Sequence, residues 1–224
     1  KEIKDKNKAL IARYAWGNDY HEVLGNKMKK IVTWLKENYG DNYQHKFYID
    51  TGPILEKTLA QEAGLGFFGK NTLLINHKIG SYFFIACLFT QIPFEVTEKK
   101  VIGGCGNCQK CIQNCPTGAL VKPYVLDANK CLSYQTIENR GDIPKKLKKK
   151  MNNRIFGCDI CQEVCPWNKR AKVTSIDELK TKQKRDQLTI DQLKKMDTKK
   201  YQQLFTKSAV KRAKFAGLKR NLGL

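Results

Sequence analysis

Apolar positions in the opening stretch recur at helical spacing. Val23, Met28, Ile31, Val32 and Leu35 are separated by lysines and other polar residues, the pattern of an amphipathic helix. Residues 1–39 are expected to be mostly helical. The interruption is Arg13-Tyr14-Ala15-Trp16-Gly17-Asn18-Asp19-Tyr20-His21, too aromatic and polar for an ordinary amphipathic turn. Phe47-Tyr48-Ile49-Asp50 reads as a short strand, and Thr51-Gly52-Pro53 breaks it. A helix is expected from Pro53 to Ala63, because proline suits a first helical position. Gly64-Leu65-Gly66 then closes it.

A glycine-punctuated loop follows, Phe67-Phe68-Gly69-Lys70-Asn71-Thr72, and then two strands, Leu73-Leu74-Ile75 and Tyr82 to Phe89, around a turn at His77 to Gly80. The second is apolar throughout, which predicts burial on both faces. Strands and helices alternate as far as Phe94, which predicts an α/β or α+β domain lacking its beginning. After Asn168 the chain turns lysine-rich and helical. Ser175-Ile-Asp-Glu178 and Thr189-Ile-Asp-Gln192 both fit the capping box, and Ser208 to Arg220 reads as a basic helix.

Between these regions lie eight of the nine cysteines. Cys105-x2-Cys108-x2-Cys111-x3-Cys115-Pro116 has the spacing of two-cluster ferredoxins, in which the fourth thiolate ligates the neighbouring [4Fe–4S] cluster. Cys158-x2-Cys161-x3-Cys165-Pro166 is the same run without its first cysteine, and Cys131 supplies the eighth thiolate. The expected sets are Cys105, Cys108, Cys111 and Cys165 for one cluster, and Cys115, Cys131, Cys158 and Cys161 for the other. Paired C-x2-C spacings also suit zinc, but zinc requires neither the third cysteine nor the repeated x3-Cys-Pro ending. Disulfides do not suit such tight triplets. Cys87, in an apolar run, reads as a small buried hydrophobe.

Charge changes the picture next. The 224 residues carry 42 Lys+Arg against 21 Asp+Glu, a formal net charge of +21. Such an excess points to a polyanion, nucleic acid or an anionic membrane. No apolar run approaches a membrane span, and no signal-peptide pattern is present. Thiolate clusters go with a reducing compartment, so a cytoplasmic location is expected. The chain opens on Lys1 within a helical pattern, which predicts a beginning inside a longer protein. No G-x-G-x-x-G turn for a flavin or nicotinamide occurs. Two clusters make an electron wire whose terminus must be another protein, a substrate or a further cofactor.

Four stretches then give a resemblance. They are Ile11 to His21, Asp50-Thr-Gly-Pro-Ile-Leu-Glu56, Gly64 to Ile75 and the cysteine pattern; the closing Ala209 to Asn221 agrees with them. Together they resemble the epoxyqueuosine reductase family across essentially the whole chain. That family is related to reductive dehalogenases and uses cobalamin with two [4Fe–4S] clusters. It performs the last step of queuosine formation at the tRNA wobble position. Its members extend further at the N-terminus, and many continue into a helical-repeat domain. The resemblance implies an α+β protein in three parts. Residues 1–100 are a partial nitroreductase-like cobalamin- and substrate-binding domain, 101–170 a ferredoxin-type double-cluster domain, and 171–224 a basic helical segment. The partners implied are tRNA carrying epoxyqueuosine in its anticodon loop and an external low-potential electron donor, with no membrane; the protein is expected to be a monomer.

Turning an epoxide into an alkene takes two electrons and two protons and releases water, so a positioned acid must protonate the leaving oxygen. Asp50 matches the family's proton donor. Burial against an apolar wall or the corrin would let it hold a proton near neutral pH. Read from the residues alone, an aspartate just before a helix is more often its cap; the resemblance reverses that preference. The further corrin contacts expected are Arg13, Lys70, Asn71, Ser133 and Gln135. Their competing readings are a solvated helix arginine, a plain glycine turn and a polar loop. His21, His45 and His77 are scattered and none is assigned to cobalt. Lys145, Lys146, Lys148, Lys149 and Lys150, with Lys211, Arg212, Lys214, Lys219 and Arg220, are expected at tRNA phosphates. The rival functions are a ferredoxin-type electron-transfer protein without its own catalytic site, and a zinc-stapled RNA-binding module.

Overall fold

Asp19 sets where the first helix begins. Its side chain accepts the His21 N–H, capping α1 (Tyr20–Tyr39). The computed structural model describes residues 5, 7–95 and 101–224. Ahead of the cap the described chain is not helical. It forms the short strand β1 (Leu10–Ile11) and a single 3-10 turn at Arg13–Ala15. Over residues 7–19 the expectation of helix therefore fails, because this segment spends backbone groups on distant partners; residues 1–4 and 6, also expected helical, lie outside the described residues. Ala12 N–H reaches Phe156 O, and Asn18 N–H reaches Glu178 O.

After α1 come β2 (His45–Tyr48), α2 (Glu56–Glu62), β3 (Phe67–Phe68), β4 (Leu74–Ile75) and β5 (Cys87–Thr90). The cysteine region holds α3 (Lys110–Gln113), the hairpin β6 (Leu120–Lys122) and β7 (Val125–Leu126), α4 (Leu132–Ile137), α5 (Lys145–Lys148), β8 (Arg154–Phe156) and α6 (Ile160–Glu163). The tail adds α7 (Ile190–Lys194), α8 (Thr198–Leu204) and α9 (Lys214–Asn221). The chain is α+β, and its described residues form four two-stranded ladders: β1 parallel to β8, and β2–β5, β3–β4 and β6–β7 antiparallel.

Several expectations shift here. The helix expected from Pro53 begins only at Glu56, with Leu55 as a cap that makes no side-chain bond. Asp50 is thus not a helix cap. The apolar run from Tyr82 is strand only from Cys87, and that strand is half-buried on both faces rather than enclosed. On α1, Val23, Met28 and Leu35 are buried, whereas Ile31 and Trp34 face outwards. The Thr189–Gln192 capping box forms. Ser175 starts no such box, since a 3-10 turn at Asp177–Leu179 follows it instead. The closing basic helix is split into a 3-10 turn, Ala209–Ala213, and α9.

One core joins the beginning, middle and end of the chain. Ala9, Ile11, Ala15 and Tyr20 pack with Ile155, Phe156, Leu193, Phe205, Val210 and Leu218. Burial of such apolar groups is the main favourable term in folding. Arg185 lies within this core, only 1% exposed. It donates to the carbonyls of Gly17, Leu204 and Thr206, which satisfy a charge otherwise costly to bury. Nothing in the lysine-rich tail sequence singled it out.

Candidate functional site

The cysteine loops come together through short helices. α3 packs against α6, which brings the two x3-Cys-Pro runs side by side. Cys105, Cys108, Cys111 and Cys165 line one cavity, with Lys70, Asn71, Pro166 and Trp167 around them. These four thiols are the first expected set. They act on one another electrostatically: Cys165 feels Cys105 and Cys108, and Cys111 feels Cys105 and Cys165. In the second set, Cys158 feels Cys131, and Cys161 feels Cys158 and Cys131. Cys161 also feels Cys111 of the first set, so the two groups adjoin. Burial pushes the Cys158 and Cys161 thiols up, and the like-charged neighbours add to it.

The loops also offer hydrogen bonds to sulfur. Lys70 N–H points at Cys105 Sγ at 3.3 Å, and Ala119 N–H at Cys115 Sγ at 3.3 Å. At Cys115 burial raises the thiol, but hydrogen bonds from Leu120, Thr117 and Ala119 outweigh it and lower the thiol from the usual value. Donors aimed at bound sulfur stabilise thiolate charge and tune a cluster's potential. Among the described residues, no three His, Cys, Asp or Glu side chains converge on a single metal ion. The donor set and its cavity fit clusters. Cys87 stands apart, half-buried on β5.

Three residues expected beside the corrin make hydrogen bonds within the protein. Lys70 Nζ donates to Gly106 O at 2.6 Å, on the first cysteine loop. Asn71 is buried, and its Nδ2 donates to Cys161 O at 3.4 Å. Gln135 is buried too, donating to Asn129 O and accepting from Asn139. Ser133 is half-buried in the first turn of α4, two residues past Cys131. Arg13 is exposed; its guanidinium lies over Trp16 and Tyr82 and 3.5 Å from Glu163 Oε1. The Arg13 backbone N–H donates to Asp159 Oδ2 at 2.8 Å. Burial raises the Asp159 carboxyl to about 6, against that hydrogen bond, which lowers it.

Asp50 sits at the loop tip after β2 in left-handed backbone, with φ of 59°. The apolar wall expected around it is absent, since its side chain is 63% exposed. It is nonetheless held. Tyr20 Oη donates to Asp50 Oδ2 at 2.6 Å, and His21 Nε2 stands 3.7 Å from the same oxygen. That nitrogen is buried and has no hydrogen-bond partner. His21 Nδ1 is fixed by Asp19 at 2.8 Å, and Tyr20 stacks on Phe84 with ring centroids 4.4 Å apart. Burial, then the Asp50 bond and charge, push the Tyr20 phenol well above the usual tyrosine value. Tyr14 packs edge-on against Tyr20 and tilted against Phe156, ring centroids 5.9 Å apart in each pair, and burial pushes its phenol well above the usual tyrosine value. Asp19, Tyr20 and His21 lay inside a recognised run, but their roles depend on a loop 30 residues away and carry no local signal.

The basic tail divides in two. Lys145, Lys146, Lys148, Lys149, Lys150, Lys211 and Lys214 are exposed. Arg212 instead pairs with Glu138 through both carboxylate oxygens, and Lys219 donates to Lys194 O. Arg220 donates to the carbonyls of Asn139, Gly141 and Gln135, while Asn221 donates to those of Thr136 and Ile155. These last two residues clamp α9 onto α4 and β8; the expectation of phosphate contacts at Arg220 is corrected accordingly.

Comparison with known proteins agrees with this geometry. Residues 104–168 match the family model of the 4Fe-4S double cluster binding domain. The chain is therefore an iron–sulfur protein of the double-cluster class, carried on an α+β body. Residues 1–51 match the model described as Epoxyqueuosine reductase QueG, DUF1730. Epoxyqueuosine reductase of Leadbetterella byssophila is 42% identical over 99% of this chain and 72% of its own length. That of Synechocystis sp. is 42% identical over 94% of this chain and 73% of its own. The chain belongs to the epoxyqueuosine reductase family.

Solved structures of the family agree. Epoxyqueuosine reductase with a tRNA-Tyr epoxyqueuosine-modified stem loop superposes with a TM-score of 0.89 at 31% identity, covering 99% of this chain and 60% of that one. A Bacillus subtilis structure, with an aspartate catalytic loop swung out of the active site, gives 0.89 at 30% identity, covering 98% and 58%. The chain thus spans somewhat under two thirds of these solved proteins.

Proposed function

We propose that this chain reduces the epoxide of epoxyqueuosine in tRNA to the alkene of queuosine, with Asp50 as the proton donor. The observation that carries this is the held carboxyl of Asp50, between Tyr20 and His21. We assign Cys105, Cys108, Cys111 and Cys165 to one [4Fe–4S] cluster and Cys115, Cys131, Cys158 and Cys161 to the other. The cavity shared by Cys105, Cys108, Cys111 and Cys165 supports the first set. Cobalamin is the second cofactor of the reading, on a body of partial nitroreductase-like type, and Arg13, Asp50, Lys70, Asn71, Ser133 and Gln135 are the residues that would hold it. When bound, it supplies a reduced cobalt able to collect electrons and pass them to the epoxide carbon.

The chain's own residues do the rest. Two electrons and two protons are consumed, one C–O bond pair is replaced by a C=C bond, and the oxygen leaves as water. Asp50 donates a proton to that oxygen, and Tyr20 orients the carboxyl by holding Oδ2. The exposed lysines of residues 145–150 hold tRNA phosphates without reading sequence. No described helix is long and apolar enough to cross a membrane; a cytoplasmic location and a monomeric state complete the reading. Anaerobic reduction of the cobalamin-loaded chain with modified tRNA, followed by nucleoside analysis, tests it.

A further inference from the structure

We propose that the face formed by the β6–β7 hairpin and the first cysteine loop is the docking site of a small acidic one-electron carrier protein. The inference rests on the two-cluster reading above and names where its electrons enter. The hairpin shows Val121, Tyr124, Val125 and Leu126 to solvent, at 50%, 54%, 38% and 40% exposure. Ile102, just before the first cysteine, is 59% exposed. Monomeric proteins seldom leave contiguous apolar side chains uncovered without an interaction to serve.

This face is continuous with the first thiol set. Tyr124 N–H donates to Lys70 O at 3.1 Å, Lys70 N–H points at Cys105 Sγ, and Lys70 Nζ donates to Gly106 O. α3, which carries Cys111, packs on β6. Cys115 of the second set lies just ahead of the same hairpin, its Sγ receiving the Ala119 N–H at 3.3 Å, so the hairpin borders both thiol sets. Electrons bound for the epoxide therefore enter the clusters beside the hairpin.

Charge selects the occupant. Residues 101–126 contain Lys110 and Lys122 and no Asp or Glu, and both lysines are exposed. Asp127, next along, is paired with Lys130, so among the described residues Lys110 and Lys122 are left as unpaired cations of the rim; an apolar centre with a net basic rim matches a carrier with an acidic rim, in a small transient interface. Each encounter oxidises the carrier by one electron and reduces one cluster by one. Two encounters supply one turnover, and the two protons come from Asp50 and solvent.

The test uses the reconstituted full chain with Val121→Ser, Lys122→Glu and Tyr124→Asn, the last keeping a residue tolerant of left-handed backbone. Cluster reduction is followed by stopped-flow absorbance. The reductants are a reduced flavodoxin, a reduced [2Fe–2S] ferredoxin and dithionite, which needs no docking surface. The expected result is a second-order rate with at least one carrier that falls steeply with salt and drops about tenfold in Lys122→Glu. Dithionite rates and iron content stay at wild-type values. Carrier rates unchanged in all three variants overturn the proposal. So does a loss of iron or melting temperature with reduction per cluster unaltered, which places the hairpin in the protein's own packing. A loss of tRNA affinity with carrier rates intact overturns it in favour of an RNA surface. Absent bleaching by dithionite in the wild type, with no iron bound, contradicts the cluster reading itself.

Discussion

Tyr20 and Asp50 meet at 2.6 Å across 30 residues of sequence, the phenol donating to the carboxylate. The bond ties the first turn of α1 to the tip of the loop after β2. Tyr20 is buried and stacked on Phe84, so it is the fixed partner, and the exposed Asp50 is the one being positioned.

Removing only the hydroxyl tests that division of labour. Tyr20→Phe keeps the stack and loses the anchor, so turnover is expected to fall about tenfold, the scale of one hydrogen bond to a charged group. Melting temperature and iron content stay close to wild type. Unchanged single-turnover rates in this variant contradict a positioning role for Tyr20.

Gly157 governs the approach of β8 to the opening segment. It has a φ of +71°, and a Cβ there would collide with the Cβ of Ala12. Gly157→Ala is expected to cost at least about 1–3 kcal/mol in backbone strain alone, and to displace Cys158. Iron then falls below the about eight per chain of two intact clusters. Adding Ala12→Gly removes the collision but not the strained backbone, so it restores part of the iron. Full iron in the single variant would show that the loop adapts freely.

The two kinds of basic residue respond differently. Arg220→Ala removes donors to three carbonyls and is expected to lower stability by about 2–4 kcal/mol in urea unfolding. The salt dependence of tRNA binding stays the same. Changing Lys145, Lys146, Lys148 and Lys149 to Gln has the opposite signature. Stability moves little, while the log-log salt slope of tRNA affinity flattens by somewhat less than one unit for each phosphate that a lysine no longer neutralises. Equal salt slopes before and after that change would place the RNA on another face.

The contrast between these residues also shows what can be read from sequence. The thiol spacing 105–115 and 158–165 is dictated by cluster geometry, so it survives as a linear pattern, and the first set does line one cavity. The Thr189 capping box is equally local and forms as expected. Lys70 and Asn71 were legible as a glycine loop, but which cofactor they face depends on how that loop packs against Cys105 and Cys161. Arg220 looked like any other tail cation because its carbonyl partners lie on α4 and the loop after it, some 80 residues earlier. Residues 7–19 failed as helix for the same reason: backbone groups there pair with Asn153, Phe156, Leu188 and Glu178 rather than with their neighbours.

The central claim is that Asp50 delivers a proton to an epoxide oxygen with electrons fed from two clusters. The direct measurement compares wild type with Asp50→Asn, both reconstituted with iron, sulfide and cobalamin, on epoxyqueuosine-containing tRNA under anaerobic single-turnover conditions. Queuosine is expected from the wild type. The variant is expected to hold the same iron and bind the same tRNA while forming queuosine at least about a hundredfold more slowly, the scale of general acid catalysis. Queuosine formation at the wild-type rate in Asp50→Asn would contradict the account.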